Sequence, residues 1–167
     1  MAHILPCAAL RLRSGILLVA AGLAWSGSGS AQVVRIRQLN DFAFGTIAAA
    51  PVDRVLTDNL CVYSNAASGR YTITARGSGT GNAFTLASGA NTLPYEVQWA
   101  FAAGATAGAS LSPNVALAGA TANGNDVSCN QAASLSATLE VILRATTQQS
   151  APAGTYSGTL TLIVAAN

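Results

Sequence analysis

Ala153-Gly154-Thr155-Tyr156-Ser157-Gly158-Thr159-Leu160-Thr161-Leu162-Ile163-Val164-Ala165-Ala166-Asn167 closes the chain and decides how the rest is read. Gly154, two residues after Pro152, turns the chain. Tyr156, Gly158, Leu160, Leu162 and Val164 then fall on one face, and Ser157, Thr159, Thr161 and Ile163 on the other. That period of two belongs to a strand with one buried side. The sequence stops three residues after Val164, so no later segment is expected to lie along the other edge of this strand. A long apolar strand with a bare edge is an aggregation hazard that folds normally cover. The fold therefore turns on what covers this one.

Residues 1–31 read as an export signal and stand apart from the fold. Arg11 and Arg13 make a basic start, Gly15 to Trp25 is an apolar run, and Gly29-Ser30-Ala31 offers small residues before a cut at Gln32. The run is too short for a membrane span, which takes about 20 apolar residues. No membrane insertion of the mature chain is expected. Cys7 precedes the apolar run, so it gives no lipid-anchor signal. Of eight basic residues, Arg11 and Arg13 lie in the signal, which leaves six Arg against six Asp and Glu and a net charge of zero. The sequence has no Lys, and nothing forms the basic stripe of a nucleic-acid binder. A surface so poor in charge favours association. The mature chain, 167 less 31 residues, suits one domain. Two cysteines remain, Cys61 and Cys129, and in an exported chain they read as one disulfide; the alternative is two buried thiols.

Short strands fill most of the rest. Gln32 to Gln38 alternates around Val34 and Ile36, and Phe42 to Ile47 follows as a strand with Gly45 at a bulge or twist. Ala48 to Asp58 reads as a connector. Leu60 to Asn65 and Arg70 to Gly77 are expected to pair as a hairpin across Ala66 to Gly69. Phe84 to Leu86 is a short strand; Leu93 to Phe101 puts Tyr95, Val97, Trp99 and Phe101 on one face. Ala102 to Asp126 reads as loop with one short strand at Val115 to Leu117. Ser134 to Ala145 has a composition that a helix would tolerate, but its period of two favours a strand. In that strand Glu140, like Glu96 earlier, points outward. No helical pattern appears elsewhere in the mature chain. The fold class is all-β, a sandwich.

The catalytic inventory is nearly empty. The only His is His3, inside the signal. Without His, Lys or a free mature Cys, no triad, thiolate pair, amine nucleophile or His-based metal site can be assembled. Glu96 and Glu140 show no pairing that glycoside chemistry would need. Asp53, Asp58 and Asp126 lack calcium-loop spacing, and Ser78 to Gly81 is a turn with no helix to cradle phosphate. No catalytic residue, metal or cofactor is assigned, and the chain does not read as an enzyme. Tyr63, Tyr71, Tyr95, Trp99 and Tyr156 would suit a sugar-stacking surface, but most share the apolar phase of their strands and read as core.

Four stretches carry a resemblance: Asp41-Phe42-Ala43-Phe44-Gly45; Leu60-Cys61-Val62-Tyr63-Ser64-Asn65 with Gly69-Arg70-Tyr71; Leu93-Pro94-Tyr95-Glu96-Val97-Gln98-Trp99; and the closing Ala-Gly-Thr-Tyr strand. Over nearly the whole mature chain it resembles a spore coat protein U-like domain, the subunit type of Csu-like, archaic chaperone–usher pili. The resemblance implies an immunoglobulin-like β-sandwich over residues 41–167 that lacks its last strand and takes it from a partner. The implied partners are a periplasmic pilus chaperone, an outer-membrane usher and neighbouring pilus subunits. It implies an acceptor groove built by Phe42, Phe44, Tyr156, Leu160, Leu162 and Val164, and a donor strand in residues 32–40 carrying Val34 and Ile36. A five-pocket groove takes roughly nine to eleven extended residues. Gln32 to Asn40 is therefore a short donor, which suits a terminal subunit or a single secreted domain. The functional expectation is a structural subunit of a surface pilus, exported through the periplasm and contributing to adhesion and biofilm formation. The alternative is a secreted or tip-located carbohydrate-binding sandwich that does not polymerise.

Overall fold

The computed structural model describes residues 31–47 and 50–167. Residues 1–31, read from the sequence as an export signal, lie outside the described residues apart from Ala31. Ten strands and one α-helical turn follow one another, with short 3-10 turns at Thr80–Asn82 and Ala132–Ser134: β1 (Val34–Arg37), β2 (Arg54–Ser64), β3 (Arg70–Gly77), β4 (Thr85–Ser88), β5 (Asn91–Pro94), β6 (Glu96–Ala100), β7 (Ala109–Ser110), β8 (Ala116–Thr121), β9 (Ala137–Leu143), α1 (Ala145–Gln149) and β10 (Leu160–Ala166). One sheet has five strands in the order β1-β2-β9-β6-β7, the other three in the order β10-β3-β8, and β4 and β5 form a separate hairpin. All strand pairs are antiparallel. The protein is an all-β sandwich.

The core lies between the sheets and draws on both. Leu60, Val62, Val97, Trp99 and Leu139 come from the larger sheet, and Tyr71, Ile73 and Ala75 from the smaller. Trp99 and Tyr71 meet edge to face at 6.3 Å, and the indole N–H donates to the Tyr71 hydroxyl at 3.1 Å. Burial pushes the Tyr71 phenol up to about 12. The bond satisfies the two polar atoms that these large side chains would otherwise strand in the core. Tyr95 is buried too, so the aromatic phase of β3 and of the Tyr95–Trp99 run is core and not a sugar platform.

Several elements differ from the sequence expectations. The strands at Leu60–Ser64 and Arg70–Gly77 are not a hairpin: β2 lies in one sheet and β3 in the other. Ala66 to Gly69 is an arch between layers, closed by a Gly69 N–H to Ala66 C=O bond of 2.8 Å. A four-residue link serves a hairpin or an arch equally, and here β9 and β10 provide the longer partners. β2 reaches back to Arg54 through the expected connector, because Arg54 to Leu60 pairs along β9. Phe42 to Ile47 is irregular and not a strand. Phe101 lies beyond β6 and is 45% exposed. β8 is longer than the three residues expected, and Ala145–Gln149 makes one helical turn.

Glu140 is 2% exposed, contrary to the outward, solvated position expected of it. β9 is the middle strand of the large sheet, and every one of its seven residues is buried. The loop after β6 lies across the outer face. Ala105 N donates to Thr138 Oγ1 at 3.3 Å, Gly104 N to Asn59 Oδ1 at 2.7 Å and Gly108 N to Gln98 Oε1 at 3.2 Å. Among the described residues Glu140 Oε1 has no hydrogen-bond partner under that cover. Glu96 stays exposed and takes two bonds from Arg144, at 3.0 and 2.6 Å. Arg144 also bonds Asp53 at 2.8 Å.

Cys61 and Cys129 form the disulfide, closing a separation of 68 residues. On the chain-entropy account such a loop contributes ~4 kcal/mol. The loop carrying Cys129 is organised by Asp126. Its carboxylate accepts bonds from Ser128 N and Oγ at 3.0 and 2.6 Å, Asn130 N at 3.0 Å, Gln131 N at 3.3 Å and Ser134 Oγ at 2.5 Å. These bonds, led by the Ser128 and Ser134 hydroxyls, hold the Asp126 carboxyl far below the usual carboxylate range. Its folded value is depressed, so its stabilisation is complete above the unfolded value near 3.8 and is lost as pH falls below it. Denaturant midpoints measured between neutral pH and pH 2 are expected to fall steeply once the pH drops below about 4. Asp126→Asn should be less stable at neutral pH and show a shallower acid limb. An unchanged acid limb in Asp126→Asn would contradict the assignment.

Candidate strand-acceptor groove

The alternation of β10 fixes which of its backbone groups are free. Asn167 N donates to Arg70 C=O at 3.1 Å, and the register runs Ala166 opposite Tyr71 and Leu160 opposite Gly77. In an antiparallel ladder hydrogen-bonded pairs alternate. Thr161, Ile163 and Ala165 therefore bond β3, while Leu160, Leu162, Val164 and Ala166 turn their N–H and C=O away from it. The segment ahead of β10 keeps the same phase. Ser157 exchanges both backbone bonds with Ala87 of β4, at 2.8 and 3.0 Å, and Thr159 N bonds Ser78 Oγ at 3.1 Å. So Tyr156, Gly158, Leu160, Leu162 and Val164 present backbone donors and acceptors to the open side. Among the described residues, β10 pairs with β3 alone.

The same residues point their side chains inward, yet the core does not fully cover them. Tyr156, Leu160, Leu162 and Val164 are half-buried, and their neighbour Ile163 on the outer face is 40% exposed. Beside them lies a cavity of about 580 Å³. One wall is the run from Leu39 to Ile47, and the other is Tyr156 to Leu162. Leu139, Val141 and Leu143 of β9, with Leu93 and Tyr95, form the floor. Of the residues assigned from sequence, Phe42, Phe44, Tyr156, Leu160 and Leu162 line this one cavity. Val164 does not line it, but packs on the core beyond its end.

The wall from Leu39 to Ile47 is not a strand, and side chains hold it. Arg54 donates to the carbonyls of Phe44 and, at 2.6 Å, Thr46. Asn40 bonds Asp58 through its backbone N–H at 2.8 Å and its amide at 2.9 Å. Gly45 takes a φ of +67°, which a residue with a Cβ adopts only at a cost. On the opposite wall Gly158 lies so close to β4 that a Cβ there would meet Thr85 O at 2.9 Å. Tyr156 is fixed by its hydroxyl, which donates to Pro152 O at 2.9 Å.

Val34 and Ile36 sit on β1, paired to β2 with Val34 opposite Ser64 and Ile36 opposite Val62. Both pack on the core. Sequence reasoning missed the floor of the groove. Leu139, Val141 and Leu143 carried a visible period of two, but that pattern shows a buried face without showing that its cover is incomplete. Asp53 and Asp58 are engaged with Arg144 and Asn40, and Asp126 with its own loop. Among the described residues no group of His, Cys, Asp or Glu could hold a metal ion.

No family model matches the chain. No curated protein matches it either. Among solved structures, it is similar to a chain from a chaperone–tip adhesin complex described for the biogenesis of CFA/I fimbriae, with 14% identity and a TM-score of 0.49 over 78% of this chain. The alignment spans 41% of that other chain.

The open face of β10 has a measurable energetic signature. Leu139 is fully buried, and Leu139→Ala should cost about 3 kcal/mol by denaturant unfolding of the isolated oxidised chain. Leu162→Ala removes a side chain that water already reaches, and should cost about 1 kcal/mol. Equal costs would mean that the groove is closed in solution.

Proposed function

We propose that this chain is an exported structural subunit of a surface fibre, completed by an extended strand from another protein chain. The observation that carries the reading is the phase of the segment from Tyr156 to Val164. Its free backbone groups and its half-covered apolar side chains belong to the same residues, and from Tyr156 to Leu162 they open onto the same cavity. An added strand meets both needs at once: its backbone continues the ladder, and its alternate side chains fill the cavity. From Tyr156 to Val164 the edge runs roughly 27 Å, at about 3.4 Å per residue. Each apolar side chain that the incoming strand buries contributes about 2 kcal/mol. On this reading the sandwich is immunoglobulin-like and lacks its last strand. A periplasmic chaperone covers the groove first, and at an outer-membrane usher a neighbouring subunit replaces it. The spore coat protein U-like resemblance of the four quoted stretches supports this order of partners. Adhesion and biofilm formation follow as roles of the assembled fibre.

A tip-located or secreted carbohydrate-binding module is the other reading. The aromatic side chains it would draw on first, Tyr71, Tyr95 and Trp99, are in the core.

The test is made on cells of the source organism. Tagged full-length chain should be recovered by mechanical shearing in a high-mass surface fraction, together with other exported subunits. Leu160→Asp with Leu162→Asp should remove it from that fraction. Recovery of the wild-type chain only as a soluble monomer would refute the subunit reading.

A further inference from the structure

The stretch from Val33 to Asn40 is bound to the rest of the chain by more than a four-residue ladder. Val33 N–H donates to Asn65 Oδ1 at 2.6 Å, and Asn65 N–H donates back to Val33 C=O at 3.1 Å. On the outer side Arg35 donates to Val127 C=O at 2.8 Å, and the Gln38 side-chain amide to Cys129 C=O at 3.0 Å. Both acceptors lie on the loop that the disulfide pins to Cys61, and Cys61 is itself the ladder partner of Arg37. Asn40 then ties the end of the stretch to Asp58. Inward, Val34 and Ile36 share the core with Val164, and β1 lies beside β10 across the two layers. The cavity starts at Leu39 on one wall and stops at Leu162 on the other. β1 is therefore where the groove ends.

We propose that Val34–Arg37 is a permanent strand of this chain's own sandwich, the stop that closes one end of the groove, and not a strand lent to a neighbouring copy. The inference rests on the acceptor-groove reading above. Lending the segment would break the ladder to β2, release Arg35 and Gln38 from the disulfide loop, and uncover Val34, Ile36 and Val164 together. The chain receives a strand beside Tyr156 to Leu162 and keeps this one. A row of copies joined through Val34 and Ile36 does not form.

A covalent staple separates the two roles. Arg35 and Tyr63 are direct ladder partners. The Asn65–Val33 bond sets them in the hydrogen-bonded phase, in which Cα atoms lie about 5.5 Å apart, within disulfide range. Arg35→Cys with Tyr63→Cys, its cross-link confirmed by intact mass, fixes β1 to β2. It is compared in the sheared surface fraction with Arg35→Ala/Tyr63→Ala, which loses the same side chains without the link, and with Leu160→Asp. The stapled chain should be recovered at the level of the alanine pair, and Leu160→Asp should fall about tenfold below wild type. Recovery of the stapled chain about tenfold below the alanine pair would overturn the proposal, because β1 would then have to leave β2. Wild-type recovery of Leu160→Asp would remove the groove reading itself, and the proposal with it. A second measurement needs no assembly. Val34→Asp/Ile36→Asp should lower the melting temperature of the isolated oxidised chain by at least about 5 °C. An unchanged melting temperature would show that the segment does not serve its own fold.

Discussion

The structure depends on a mismatch along one strand. Among the described residues β10 has a partner on one edge and none on the other, and the residues facing the bare edge are the ones whose side chains face the core. A solvated edge strand is common, and folds protect it with charge, proline or a bulge. None of these devices occurs between Leu160 and Ala166. The side chains beneath are leucine and valine, only half covered, and they border a cavity floored by β9. The geometry of such an edge suits an added strand. On the proposed reading, an extended segment with alternate apolar side chains, from outside the described sandwich, completes it.

The rest of the molecule holds that edge open. The far wall cannot collapse onto β10, because Arg54 takes the carbonyls of Phe44 and Thr46, and Asn40 is tied to Asp58. Gly158 lets the near wall lie against β4, so Tyr156 and Leu160 keep one phase across the gap. At the other end β1 meets β10 and closes the space. The disulfide and the Asp126 cluster reach the same place from outside, since the loop they organise receives Arg35 and Gln38. Contacts that look remote from the groove thus set its length and width.

Much of this was legible in the sequence, and the gaps have physical reasons. Alternation in the closing stretch showed the strand and its inward set, and Cys61 and Cys129 read as the bridge that the structure contains. Phe42, Phe44, Tyr156, Leu160 and Leu162, which the resemblance implied as groove residues, line one cavity. Alternation reports that a face is apolar; it does not report which sheet a strand joins. That is why the arch at Ala66 to Gly69 read as a hairpin. Nor does it report how a second face is covered, so Glu140 read as solvated although β9 is central and a loop lies across it. The wall from Phe42 to Ile47 has the composition of a strand, but its carbonyls go to an arginine side chain in place of a ladder. Val34 and Ile36 carried the pattern of a strand that fits a groove. The same pattern fits the edge of β2, where the structure places it.

The most direct test of the open edge is amide hydrogen exchange resolved along β10 in the isolated, oxidised chain. The ladder phase predicts two interleaved classes. Thr161, Ile163 and Ala165, bonded to β3, should be protected, and Leu160, Leu162 and Val164, which face the gap, should exchange about a hundredfold faster or more. Addition of a strand should erase the difference. Uniform protection along Leu160 to Ala166 in the isolated chain would contradict the account, because it would mean that the sandwich already closes itself.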